Sequence, residues 1–180
     1  MPLSDKQIIK EIELGNIIIE DWDLSRLNAC SYDVRIGDKI KFPKKYTLDL
    51  KADNEWVEND IPESGYLLST QAIYNSCLIG KIGVKGNICA KLMGKSSLGR
   101  LGLDVTVGDV GHAEPNFEGS LVIELACKQP TIIYPNIKIG QILFYYVDGE
   151  IERYYSKVKA SKYMNQEGIQ TSKYHLNFEK

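Results

Sequence analysis

The sequence predicts a mainly β protein, a barrel or a sandwich. From Ile17 to about residue 150 it is a succession of short apolar runs separated by Gly, Pro, Asn and Asp, which is how strands and tight turns are punctuated. One short helical pattern precedes them. With 180 residues, 43% hydrophobic and 26% charged, the chain suits one soluble domain with a sizeable core.

Ser4-Asp5-Lys6-Gln7 has the form of a capping box, with Ser4 as N-cap. Ile8, Ile9, Ile12 and Leu14 then give an amphipathic helix that Gly15-Asn16 ends. Ile17-Ile18-Ile19 is a β-branched strand, and Ala29 to Asp38 alternates polar and apolar positions up to a turn. Residues 43–63 are polar, hold Pro43 and Pro62, and are expected to form an exposed loop or a weak hairpin. Tyr66-Leu67-Leu68 reads as a strand. Ile73-Tyr74 and Leu78-Ile79 are expected to pair around Asn75-Ser76. Asn87 to Leu92 leads straight into Gly94. Thr131 to Tyr134 and Lys138 to Tyr146 are strands parted by Pro135-Asn136, and Asp148-Gly149 is a hairpin-type turn. After Tyr155 the chain turns basic and polar, with Lys157, Lys159, Lys162 and Lys173. It is too poor in apolar residues for its own core, so it is either disordered or a flap that orders on a ligand.

A formal net charge of −2 gives no support for a duplex-wrapping or membrane-bound surface. No apolar run approaches a membrane span, and the N-terminus lacks the apolar core of a signal peptide. The expectation is a cytoplasmic protein with no nucleic-acid polymer and no membrane as partner. Cys30, Cys77, Cys89 and Cys127 form no CxxC and are expected to be small, buried and reduced. His112 and His175 are the only imidazoles, so a zinc site has little support.

Two stretches carry chemistry. Gly94-Lys95-Ser96-Ser97-Leu98-Gly99-Arg100 sets hydroxyls and cations among glycines, a suitable surface for phosphate. A polar turn at a barrel end accounts for it equally well. It is not a P-loop, since Cys89 stands where that motif needs a second glycine. Leu121-Val122-Ile123-Glu124-Leu125 places one carboxylate in an apolar strand. Burial would raise its pKa and suit a general acid/base, whereas an ion pair with Arg100 or a lysine would make it structural. His112-Ala113-Glu114 matches the H-x-E of zinc deaminases, but no P-C-x-x-C follows, only a lone Cys127. His112 is expected in a loop or pocket wall, and Asp33 is expected to be structural.

These residues together resemble the deoxycytidine triphosphate deaminase and deoxyuridine triphosphatase superfamily, and more closely its deaminase branch. Ser31-Tyr32-Asp33-Val34-Arg35-Ile36-Gly37 is similar to its first block. Lys95-Ser96-Ser97-Leu98-Gly99-Arg100-Leu101-Gly102-Leu103 is close to R-S-S-L-A/G-R-x-G-L. Glu114 to Gly119 resembles D-P-G-W/F-x-G, and Ile123-Glu124-Leu125 falls at the L-E strand. Ile139-Gly140-Gln141-Ile142 and Lys162 to Gly168 match the late I-G/A-Q-L/I and K-Y-x-x-Q-x-G blocks.

The resemblance implies a distorted, dUTPase-like (β-clip) barrel over residues 1–155, a C-terminal flap over 156–180, and a homotrimer with sites shared between subunits. It makes Glu124 the acid/base that activates water against C4 of cytosine, without zinc. Ser96, Ser97, Arg100 and Lys95 hold the triphosphate, Arg100 also helps order Glu124, and Glu114 faces the sugar. Tyr155, Lys162 and Gln166 close the site. Magnesium would ride on the triphosphate rather than in a protein cage. The implied reaction is dCTP to dUTP and ammonia, with dUMP and diphosphate as an extension. Lys95 replaces an Arg, Glu114 replaces an Asp, and the 105–112 loop carries about one extra residue where the base is read. Two alternatives stay open. One is a triphosphatase using an Asp-activated water, for which Gly108-Asp109-Val110 leaves room; the other is a non-catalytic regulatory homologue.

Overall fold

The computed structural model describes residues 1–107, 111–157 and 161–178. Helix α1 (Asp5–Glu13) is followed by β1 (Ile17–Ile19), β2 (Tyr32–Arg35), β3 (Lys39–Pro43) and β4 (Trp56–Asp60). Next come β5 (Tyr66–Leu68), β6 (Tyr74–Cys77), β7 (Ile82–Val84) and β8 (Ile88–Gly94), which runs into the one-turn helix α2 (Ser96–Gly99). Strands β9 (Leu103–Asp104), β10 (His112–Ala113), β11 (Glu118–Gly119), β12 (Val122–Cys127), β13 (Thr131–Ile133) and β14 (Lys138–Tyr146) complete the body.

Helix α1 begins as its residues dictate. The Ser4 hydroxyl accepts from the Gln7 amide at 3.4 Å, and the Gln7 side chain accepts from the Ser4 amide at 2.9 Å. Its apolar stripe buries Ile8 and packs Ile12 on the core. Replacing Ser4 with Ala is expected to cost about 1 kcal/mol, read from the denaturant midpoint.

The mainly β expectation holds, but the strands do not close into one barrel. Among the described residues they form sheets ordered β1-β7-β11, β10-β8-β14-β2, β4-β3-β6-β12-β9 and β13-β5. Most strands are short and soon end in turns, so no ladder runs right round the core. The register of β14 against β2 also shifts between Lys138 and Gly140.

Two local expectations are corrected, and one is decided between its alternatives. Asn75-Ser76 is no turn: Tyr74–Cys77 is continuous strand, ordered by pairing with β12. Residues 56–60 form β4 and pair antiparallel along all of β3, so of the two expectations for the polar stretch the hairpin holds, with β4 as an edge strand. Asp148-Gly149 is not a hairpin turn, because no strand follows it among the described residues. The cysteines also differ from expectation, since Cys127 alone is buried and Cys30 is exposed. Lys159 and the Gly108-Asp109-Val110 loop lie outside the described residues.

Side-chain alternation positions the site. Strand β8 turns Ile88, Ala90 and Leu92 inward, β14 turns in Ile139, Ile142 and Phe144, and β12 turns in Ile123, Leu125 and Cys127. Glu124 therefore points to the opposite face of its sheet. In register with it lie Asn75 on β6, then Lys41 on β3, then Glu58 on β4. This outer row is polar where the inner one is apolar.

Candidate active site

A cavity of about 500 Å³ lies over that outer face. Trp56, Asn75, Val122 and Glu124 come from the sheet, while Gly111, His112, Glu114 and Phe117 form a wall. Tyr155, Tyr163, Gln166 and residues 170–172 of the tail also line it. His112 is thus a pocket-wall residue, as expected.

Glu124 is the unusual group here. Its Oε2 is buried with no hydrogen-bond partner, and no ion pair involves it among the described residues. Burial lifts its carboxyl to about 7, against the opposing pull of its own backbone amide. A side chain of that character exchanges protons readily near neutrality. Tyr155 stacks edge-on against Phe117 with ring centroids 5.9 Å apart, and its hydroxyl accepts from the Tyr163 amide at 3.2 Å. Burial pushes its phenol up.

The described tail packs on the body rather than standing free. The Gln166 carbonyl accepts from the Ser120 amide at 2.9 Å, and its side-chain nitrogen donates to the Ser120 carbonyl at 2.6 Å. Gly119 permits this approach: a Cβ there would lie 3.0 Å from the Gln166 backbone nitrogen and oxygen, and its φ is +155°. Lys41 donates to the Ile169 carbonyl at 3.0 Å, and Lys81 pairs with Glu167 at 2.9 Å.

Of the site residues expected from sequence, Glu124, Glu114, Tyr155 and Gln166 meet at this cavity. The others do not. Ser96 and Lys95 line a second cavity of about 340 Å³, with Asp104, Val105 and Lys128. Ser97 and Arg100 are exposed. Lys95 points at Asp33, 2.6 Å away. Burial works against the Asp33 charge, but the Lys95 bond, helped by Lys138 and Asn28, holds its carboxyl below the ordinary range. Asp33 is structural, as expected, and it occupies the Lys95 ammonium. Lys162 bonds to Asn177 at 2.5 Å instead of facing the cavity. Among the described residues no group of three or more His, Cys, Asp or Glu could hold a metal ion.

Sequence reasoning missed Asn75, Trp56, Tyr163 and residues 170–172. Asn75 was masked by the turn reading, because Asn-Ser between apolar pairs looks like a turn until the partner strand is known. Tyr163 sits inside the quoted tail block and could have been found there. Nothing local marks Trp56.

The described helices include none long and apolar enough to cross a membrane. Fold and site define a class, a mainly β protein whose sheet carries a buried, unpaired carboxyl under a folded-back tail. The model of the dCTP deaminase-like family matches residues 2–147. A dUMP-forming dCTP deaminase of Clostridium botulinum (strain Alaska E43 / Type E3) is 38% identical over 180 residues, covering 100% of both chains. One from Cytophaga hutchinsonii is 36% identical over 172 residues, 96% of each. The crystal structure of 2′-deoxycytidine 5′-triphosphate deaminase from Agrobacterium tumefaciens superposes with a TM-score of 0.64 over 81% of this chain, at 20% identity. This chain spans 48% of that one, and the likeness concerns the fold alone. The chain belongs to the dCTP deaminase-like family.

Proposed function

We propose that the protein deaminates dCTP hydrolytically with Glu124 as acid/base, and carries the product on to dUMP and diphosphate. The carrying observation is the buried, unpaired Glu124 carboxyl, lifted to about 7, at the floor of a ligand-sized cavity. Whole-chain similarity to dUMP-forming dCTP deaminases supports the substrate and the second step.

In this reading Glu124 takes a proton from water as the new C–O bond forms at C4 of cytosine. It passes that proton to the ring nitrogen N3, then carries the proton of the new C4 hydroxyl to the amine as the C–N bond breaks and C4=O forms, so dCTP and water become dUTP and ammonia. In the second step another water adds to the α-phosphorus, and diphosphate leaves dUMP. Glu114, on the cavity wall, faces the sugar. Tyr155, Tyr163 and Gln166 exclude water once the tail is seated. Magnesium enters as the counter-ion of the nucleotide, bound through the phosphate oxygens and water.

The cavity charge supports a shared site. None of the described residues lining it is Lys or Arg, while Glu114 and Glu124 are both there. A triphosphate beside two carboxylates, with no Lys or Arg in the described lining, lacks the cations that balance its charge. Ser96, Ser97 and Arg100 lie outside this cavity, and a neighbouring copy in a homotrimer would supply them. Lys162 would leave Asn177 for phosphate.

The test is incubation with magnesium and dCTP, dUTP or dTTP, followed by ion-exchange separation. Conversion of dCTP to dUMP is expected. Accumulation of dUTP would limit the activity to deamination, and hydrolysis of dUTP alone would overturn the deaminase reading.

A further inference from the structure

Asn75 stands directly across the ladder from Glu124, in register on β6, while Thr106 bridges Glu124 from its other side. Directly opposed residues in an antiparallel pair have Cβ atoms about 5 Å apart on the same face. Both line the cavity, and Asn75 is buried to 7% exposure. Its carboxamide makes no side-chain hydrogen bond among the described residues, although the neighbouring β strands are fully paired around it. Lys41, the next residue along the row, directs its ammonium elsewhere, to the Ile169 carbonyl and to Glu58 at 3.1 Å. The polar atoms of Asn75 are not sealed off as the Glu124 Oε2 is, so they are available to a molecule in the cavity. The Glu124 Oε2, buried with no partner, and the Asn75 carboxamide face one cavity from adjacent strands.

We infer that Asn75 is a positioning residue for the attacking water, which sits between its carboxamide and the Glu124 carboxylate. Its amide oxygen accepts one hydrogen of that water while Glu124 takes the other as a proton. This fixes the direction of the remaining lone pair toward the pyrimidine ring. The inference rests on the deaminase reading of the same cavity.

The experiment compares dCTP turnover by the intact protein with that of Asn75→Leu, Asn75→Ser and Asn75→Asp. Leu keeps the branched shape and removes both polar atoms. It is expected to lower kcat about 10-fold to 100-fold, below the loss of a full oxyanion donor, with KM nearly unchanged. Ser restores a hydroxyl and is expected to recover part of that loss. Asp sets a like charge beside Glu124, so the acidic limb of the pH profile is expected to move upward. A structural role would lower the melting temperature of the Leu and Ser variants and leave the kcat of the folded protein unchanged. If intact protein turns over dCTP and the folded Leu and Ser variants match it in kcat, the inference on Asn75 is overturned and the deaminase reading stands. If Leu fails to fold, Ser decides it through kcat, and a wild-type value overturns the inference. If intact protein binds dCTP but does not turn it over, the deaminase reading fails and this inference with it.

Discussion

Glu124→Gln is expected to lower dCTP turnover by about 10³-fold while nucleotide binding persists, as shown by single-turnover assay and calorimetry. Gln keeps the shape and hydrogen-bonding edge of the side chain but cannot take a proton. The same change is expected to stabilise the protein, and the sign follows from the pKa. The Glu124 carboxyl is raised from 4.5 to about 7 in the folded chain. Between those values the folded state keeps a proton that the unfolded state has lost, so stability falls as pH rises and the deficit is complete above the upper value. Allowing for solvent in the cavity, Gln should add on the order of 2 kcal/mol at about pH 8 and almost nothing near about pH 4. Denaturation midpoints at both pH values check this. A variant that loses activity without gaining stability at the higher pH would show that Glu124 is not held protonated by burial.

Removing residues 156–180 is expected to lower kcat/KM for dCTP by about 10²-fold or more while leaving the body folded. The main core cluster runs from Leu3 to Phe144, so the β body keeps its packing without the tail. What is lost is the cover of the cavity: Tyr163, Gln166 and residues 170–172. Gly119→Ala tests the same point with one methyl group, since its Cβ would press on the Gln166 backbone. Both proteins should keep wild-type far-ultraviolet circular dichroism, and Gly119→Ala should raise KM more than it lowers kcat. Wild-type kcat/KM in the deletion would end the proposal that the tail closes the site.

The chemistry-bearing residues were legible in sequence where spacing is local. Glu124 stands out because a carboxylate interrupts an apolar strand, and the strand's own period of two decides which face it takes. The capping box and the β14 strand are likewise local or nearly so. The tail was legible as a segment without its own core, but where it lies was not. That depends on the close approach that Gly119 allows to Gln166, more than forty positions away in sequence.

Which residues meet was decided by tertiary structure alone. Asn75 reads as a turn residue until β12 pairs with it, because a short polar dipeptide between apolar pairs has no strand signal of its own. Lys95 reads as a phosphate ligand until the fold brings Asp33 to it, and a buried carboxylate binds the nearest ammonium. The Gly94 to Arg100 turn and Glu124 share one expected chemistry in the sequence, yet they open onto different cavities of one chain. The sequence by itself determined the mainly β class, the carboxylate and its apolar strand, since these follow from residue type and period. Register, partner and cavity were settled only in three dimensions, because they depend on contacts between residues that nothing in the linear order brings together.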